Sequence, residues 1–323
     1  MIMKSSYPFV YDLFMKNKAA PFYTNHVLNA LTNTVFLDVP KNAIDLESLD
    51  ICTVLDVPDY IQVNVGALGP NISMKIVRQN KGFLVNLLRF TTAEAYLTHQ
   101  LSKRSRKKLR AKKRKLEEDH DISYKFYYGD ITQIQYDYLF SEFYSLLKKR
   151  FHQKKVYNKN LFSWKKYYEL VYPMILDKKA SLFVIYDGNS PITITINFHL
   201  KDTVFSYIET YDTNYSNYNL GDVSMLKHLE WCLNNGIQNF DLSMGETKFK
   251  IKWCNHHYDF KYHIFYNLKS LKSRIKLGFM LLKLKLKQYL RDKNILGKLF
   301  RYDKFLYKRR GHKLNGHQWK KHN

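Results

Sequence analysis

Cysteine is scarce: Cys52, Cys232 and Cys254 are the only three among 323 residues. Three thiols make no disulfide framework, so a reducing, cytoplasmic setting is the expectation. No run of 18 apolar residues occurs, which excludes a membrane-spanning helix. The opening Met1–Pro8 stretch has no hydrophobic run of signal length, so export is not expected. Cys254, His256 and His257 lack the ligand spacing of a structural zinc site, and no metal is expected. Nucleophile–base motifs are missing too; Cys232 reads as a core residue of a helix, and Cys254 is given no nucleophile's role. Acidic residues number 28 against 53 lysines and arginines.

That imbalance, a formal net charge of +25, is concentrated in two places. Residues 103–115 hold ten basic residues and no acidic one, and residues 268–323 hold eighteen basic and two acidic. The remainder is close to neutral. Apolar residues make up 45% of the chain and aromatics 16%, which supports a real core with strands. The length suits one large domain or two ordinary ones.

The stretch from Tyr207 to Trp253 organises the chain. Residues 203–211 are rich in Thr, Val, Phe, Tyr and Ile and read as a strand. A polar, turn-prone segment, 212–219, leads to Gly221, after which Val223, Leu226, Leu229 and Leu233 recur at helical spacing. Asn234-Asn235-Gly236 stops that helix, a short strand follows over 237–242, and a glycine-bearing turn ends at Phe249–Trp253. A helix start with unpaired N–H groups, preceded by a glycine, suits an anionic ligand. Lys250 on the opposing turn suits the same phosphates or a developing oxyanion.

Upstream, residues 51–55, 60–65, 72–77 and 83–88 read as short strands separated by turns. A helix is expected over 91–119, carrying the basic run on every face. It reads as a solvated surface helix or as an attractor of an anionic ligand rather than a sequence-specific nucleic-acid reader. A strand over 124–128, helices over 131–150 and 161–176, and a meander of strands over 181–186, 191–200 and 203–211 follow. Residues 258–266 read as a last strand. Beyond it Leu268, Leu271, Ile275, Phe279, Leu282, Leu286 and Leu290 recur every three or four residues with cations between them. This basic amphipathic helix either docks its apolar stripe on the protein or lies on an anionic membrane leaflet; the last dozen residues are expected to be disordered.

Several marks occur together in order: the basic helix 102–118, the Phe143–Phe151 helix end, Tyr207, Tyr211-Asp212, Tyr215, Gly221, the turn Asp241-Leu242-Ser243-Met244-Gly245-Glu246, and Phe249-Lys250-Ile251-Lys252-Trp253. As a set, over about half the chain, they resemble the CelD-type acetyltransferases of the GNAT superfamily. They are more distantly similar to Fem-type peptidoglycan aminoacyltransferases. Two departures stand out: Asn219-Leu220-Gly221 replaces the family's Ser-Pro-Gly, and Phe249 replaces a tyrosine.

The resemblance implies an α/β (α+β) tandem GNAT-like fold: a mixed, mostly antiparallel sheet flanked by helices, followed by a basic C-terminal helical tail. The boundaries drawn are 1–97 for a non-catalytic amino-terminal lobe, 98–267 for the catalytic lobe and 268–323 for the tail. The implied activity is transfer of an acetyl or acyl group from acyl-CoA to an amine or hydroxyl, on a sugar or cell-envelope precursor, with no covalent enzyme intermediate. Glu209 and His199 are competing general bases, Tyr211 is the candidate acid for the leaving thiolate, and Lys250 faces phosphate or oxyanion. Asn219, Leu220, Gly221 and Asp222 are placed with the donor. Arg150, His152, Tyr207, Asp241, Gly245 and Glu246 are placed with the acceptor, Asp241 chiefly as the holder of its turn. Two alternatives stand beside this one: an aminoacyl-tRNA donor held by the basic helix, and a non-catalytic RNA- or membrane-binding scaffold. The expected location is the cytoplasm, at the inner face of the membrane, with 268–310 touching anionic lipid.

Overall fold

A computed structural model describes residues 5–40, 49–293, 295–296, 302–311 and 319. The expectation of disorder over the last dozen residues falls almost wholly outside them. In chain order the elements are β1 (Ser6–Pro8), α1 (Phe9–Lys16), β2 (Tyr23–Asn29), β3 (Thr34–Val39), β4 (Ile51–Pro58), β5 (Ile61–Val65) and β6 (Ile72–Asn86). Then come α2 (Ala93–Gln100), α3 (Lys103–Asp119), β7 (Ile122–Tyr127), α4 (Gln133–Lys154), α5 (Trp164–Leu176), β8 (Ala180–Asp187), β9 (Ser190–Leu200) and β10 (Thr203–Tyr211). The chain continues through α6 (Leu220–Asn234), β11 (Asn239–Met244), α7 (Lys248–Trp253), β12 (His256–Asn267), α8 (Leu271–Asp292) and α9 (Tyr302–Arg310). The architecture is mixed α/β, with mostly antiparallel strands flanked by helices.

The chain forms two units. The first gathers residues 1–88 with 242–299 and the short link 200–202; the second gathers 89–199, 203–241 and 300–323. The boundaries expected at 97 and 267 cut differently, because strand pairing rather than chain order decides membership. In the first unit the strands run β1-β4-β12-β6, so the late strand β12 lies between two early ones. It pairs antiparallel with β6 from His256↔Leu84 to Asn267↔Ile72 and with β4 from Phe260↔Pro58 to Tyr266↔Ile51. A separate antiparallel sheet, β3-β2-β5, completes that unit.

Strand β6 is one fifteen-residue element where two short strands were expected. The strand runs unbroken through residues 78–82, and Gly82 has a packing reason: the Tyr258 ring lies where its Cβ would be, with the ring carbon Cζ 2.1 Å from that position. Tyr258 sits opposite Gly82 in the β12 register and is buried.

In the second unit the order is β11-β10-β9-β8-β7. Strands β7, β8 and β9 pair antiparallel. Strand β10 pairs parallel with β11 at Thr203↔Asn239, Val204↔Phe240 and Phe205↔Asp241. Successive strand residues face opposite sides of a sheet. On β9 one side is Ile192, Ile194, Ile196 and Phe198; the other is Thr193, Thr195, Asn197 and His199, all of them buried. Tyr167 of α5 and Phe198 both pack on Tyr207, each with ring centroids 5.5 Å away. On the opposite side His228 of α6 meets Phe183 edge-on at 4.5 Å.

The helix expected over 91–119 is two, broken at Leu101-Ser102 because each has its own cap: Thr92 Oγ1 accepts from Ala95 N–H, and Ser102 Oγ from Ser105 N–H. Helix α4 starts with a full capping box between Thr132 and Gln135. It runs to Lys154, so Arg150 and His152, expected at a junction, sit in its last turns. The glycine-bearing turn expected to end at Trp253 contains a short helix, α7, capped by Thr247.

Gly82→Ala is expected to destabilise the protein by about 1–3 kcal/mol, the usual range for forcing one methyl into a packed core. Chemical denaturation checks this, and Gly82→Ala combined with Tyr258→Phe should recover little, because the ring rather than the hydroxyl makes the contact.

Candidate active site

Strand β10 runs on from Ser206 to Tyr211 beyond its last register pair with β11 at Phe205. Glu209 and Tyr211 lie on this extension. Arg150 binds both: its Nη1 donates to the Glu209 carbonyl oxygen at 3.0 Å, and its guanidinium lies 4.0 Å from the Tyr211 ring centroid. The Arg150 Nε is buried and has no partner among the described residues. His152, two residues on, is exposed, and its ring is 6.3 Å from that of Tyr307. Tyr207 is fixed by its hydroxyl, 2.8 Å from that of Tyr167.

The carboxyl of Glu209 titrates above its ordinary value, chiefly because burial disfavours its charge. A hydrogen bond from Ser224 on α6 and the charge of Arg150 pull the other way, and Asp222 adds to the rise. A carboxylate tuned upward and held by one hydroxyl has the character of a general base.

Behind it runs a buried polar chain. The His228 ring donates from Nδ1 to the Ser224 carbonyl at 2.8 Å, and its Nε2 accepts from Asn197 Nδ2 at 3.1 Å. That amide also reaches Ser181 Oγ at 3.4 Å, which lies 2.8 Å from His199 Nε2. Burial lowers His199 to about 3, helped by the charge of His228, and lowers His228 to about 4, so both rings are neutral at physiological pH. A base this weak, sealed among Tyr128, Trp231 and Ser181, is a poorer proton acceptor than Glu209. The Asn197 amide also interrupts any proton path from Glu209 to His199. Of this chain only His199 was legible beforehand. Thr193, Thr195, Asn197 and His199 are all buried, and α6 meets this side of the strand through His228.

Helix α6 opens directly from Asn219, which is left-handed at φ 54° and makes no side-chain cap. The Asn219 carbonyl accepts from Asp222 N–H at 2.8 Å. Leu220 is buried, and Asp222 places a carboxylate in the first turn, where it competes with any incoming anion for the positive helix end. The loop before it is held firmly. Tyr215 Oη donates to Asp187 at 2.6 Å, Tyr218 Oη donates to Asp119 at 2.8 Å, and Lys149 pairs with Asp212 at 3.0 Å. His120 joins the same cluster, 2.9 Å from Asp187.

Helices α2 and α3 both pack on α6. An open groove of about 600 Å³ lies along them, lined by Lys103, Arg106, Lys107, Arg110 and Arg114 with Glu94 as its one acid. The first turn of α3 has no acidic residue, so its cations oppose the helix dipole instead of complementing it, at a cost of a few tenths of a kcal/mol each.

Asp241 is fully buried in β11. Gly245, Glu246 and Lys250 belong to the other unit. Ser243 and Gly245 both have positive φ, 63° and 95°, and the Lys250 ammonium donates to the carbonyls of Met244 at 2.6 Å and Ser243 at 3.3 Å. Any phosphate there would share the ammonium with its own turn. Among the described residues no cluster of metal-ligating side chains occurs, and no helix is long and apolar enough to cross a membrane.

Residues 103–251 match the acetyltransferase (GNAT) domain family. That match, over a little under half of the chain, supports an acyltransferase enzyme. No curated protein matches. Among solved structures the chain is similar to FemX, at 8% identity over 66% of this chain and 71% of that one, TM-score 0.46. It is also similar to L-PGS from Bacillus licheniformis (12%, 72% and 72%, TM-score 0.44). A third likeness is a conserved protein of unknown function from Bacteroides thetaiotaomicron (11%, 67% and 70%, TM-score 0.43).

Linkage makes Glu209 visible in stability. Unfolded, the carboxyl ionises near its ordinary value of 4.5; folded, it holds its proton to higher pH. Stability therefore falls as pH rises through that window and levels off above it. Urea unfolding of Glu209→Gln against the parent is expected to show the variant gaining relative stability from about pH 4 upward. A constant difference would mean that the carboxyl is solvated.

Proposed function

We propose that the chain transfers an acyl group directly from acyl-CoA to an amine or hydroxyl acceptor, with Glu209 as general base. The observation that carries the reading is the raised Glu209 carboxyl, on the part of β10 beyond its register with β11 and bonded to the first turns of α6. Glu209 takes the acceptor proton as nitrogen or oxygen attacks the thioester carbonyl; the C–S bond breaks, and the thiolate leaves with a proton from Tyr211 or solvent. The buried Arg150 Nε, beside Glu209, supplies a donor for the carbonyl oxygen as it gains charge. Gly221 and the α6 start take the pyrophosphate, and the α3 cations draw the phosphate-bearing end of CoA. The acceptor class, a sugar or cell-envelope precursor, rests on the family resemblance alone, and the cytoplasmic location on the scarcity of cysteine.

Glu209→Gln is expected to lower kcat by about 10²–10⁴ while leaving acetyl-CoA affinity in place, and Tyr211→Phe to lower it less. Thiol release and calorimetric titration measure the two quantities. Full turnover in Glu209→Gln sinks the assignment. Titration with a charged tRNA at two salt concentrations tests the competing donor: steeply salt-dependent tRNA binding without acetyl-CoA binding would establish aminoacyl transfer instead.

A further inference from the structure

Helix α8 carries two apolar stripes on opposite sides. The inner one docks: Leu277 is buried with Ile264 and Tyr266 of β12, and Met280, Leu281 and Leu284 pack on the same cluster. Ser273, fully buried, donates from its hydroxyl to the Asp50 carbonyl and accepts from Asn267 N–H, pinning the start of the helix. The stripe read from the sequence is the other one. Leu271, Ile275, Phe279, Leu282, Leu286 and Tyr289 are all exposed, Phe279 by 71%, Leu271 by 67% and Leu282 by 66%. At 3.6 residues per turn these six fall within about 80° of arc, over a length of about 27 Å, on the side facing away from the docked stripe. The helix therefore has no need of these residues for its own docking, and an apolar row of that length on an exposed surface marks an interaction site.

Its flanks say what it meets. Lys272, Lys276, Lys283 and Lys287 line one side and Arg274 and Lys285 the other, and from Leu271 to Arg291 the helix has no acidic residue. Lys276 is paired with Asp50. A second copy laid on this ridge would bring like-charged rows together. The face is convex and straight, with apolar groups at the crest and cations at the shoulders, the profile of a helix lying in the plane of an anionic bilayer surface. We propose that α8 is an interfacial helix that seats the protein on an anionic lipid leaflet through Leu271, Phe279 and Leu282 and their neighbours. The adjoining groove of about 560 Å³ holds both signs of charge: Lys75, Arg78, Lys285 and Asp292 line it, and Arg78 is paired with Asp259 at 3.4 Å and with Asp292 at 3.8 Å.

The test is sedimentation of the full chain with vesicles of phosphatidylcholine containing roughly one third phosphatidylglycerol, against pure phosphatidylcholine. The parent protein is expected to partition onto the anionic vesicles only. Phe279→Glu combined with Leu282→Glu should weaken this by more than about tenfold, because both side chains would enter the interface. Lys272→Gln, Lys283→Gln and Lys287→Gln together should weaken it about as much, with a shallower salt dependence. Leu271→Gln with Leu286→Gln repeats the apolar test at a separate pair, and unchanged circular dichroism shows that each variant is folded. Partition unaltered by both apolar pairs would overturn the proposal, since the +25 chain would then be adsorbing by charge alone. So would failure of the parent to bind either vesicle, or a dimer by light scattering that the Glu pair converts to monomer.

Discussion

The insertion of β12 between β4 and β6 is the constraint on which the first unit rests. A strand in that position supplies hydrogen bonds on both edges, and without it β4 and β6 would each present an unpaired row of N–H and C=O groups. Its side chains are equally committed. Phe265 stacks on Phe22 at 3.9 Å, Tyr258 fills the space above Gly82, and His263 bonds to Tyr23 Oη at 2.8 Å. Helix α8 then covers the same strand, so its inner stripe depends on β12 and its outer stripe does not.

The second unit treats polarity differently. Its sheet buries a polar row beneath α6; Asn197 and His199 of that row are linked through Ser181 and His228, while Thr193 Oγ1, Thr195 Oγ1, Asn197 Oδ1 and His199 Nδ1 have no partner among the described residues. Neutral His228 fixes Asn197 and the Ser224 backbone, and Ser224 reaches Glu209. Such a chain orients the carboxyl without donating or accepting a net charge, which keeps desolvation as the main influence on its titration. Arg150 works from the other side. Stacked on Tyr211 and bonded to the Glu209 carbonyl, it moderates the rise in the carboxyl's pKa without forming a direct ion pair that would abolish it.

Local pattern made the meander β8–β10, the helix α6 and the stop at Gly236 legible, because alternation, 3.6-residue spacing and a left-handed terminator are properties of short windows. The continuity of β6 was hidden for the opposite reason: what explains Gly82 within it is a ring 176 residues away, on Tyr258. The site split the same way. Glu209 and Tyr211 stood out on their strand, while Ser224, His228 and Asn197 gain meaning only when α6 is laid on the sheet. For α8, periodicity found one apolar stripe and left open which way it faced. The second stripe, interrupted by the polar Ser273, carried the docking.

A discontinuous first unit has a consequence for synthesis. Residues 89–199 and 203–241, nearly all of the second unit, emerge as an almost unbroken stretch. The strands β4 and β6, made earlier, wait for β12 until nearly 270 residues have left the ribosome. During that interval, at 5–20 residues per second, roughly 9–36 seconds pass with two open strand edges. The nascent chain is then most exposed to mispairing and to chaperones, and slow codons after position 267 would do less harm to yield than slow codons between Gly82 and Tyr258.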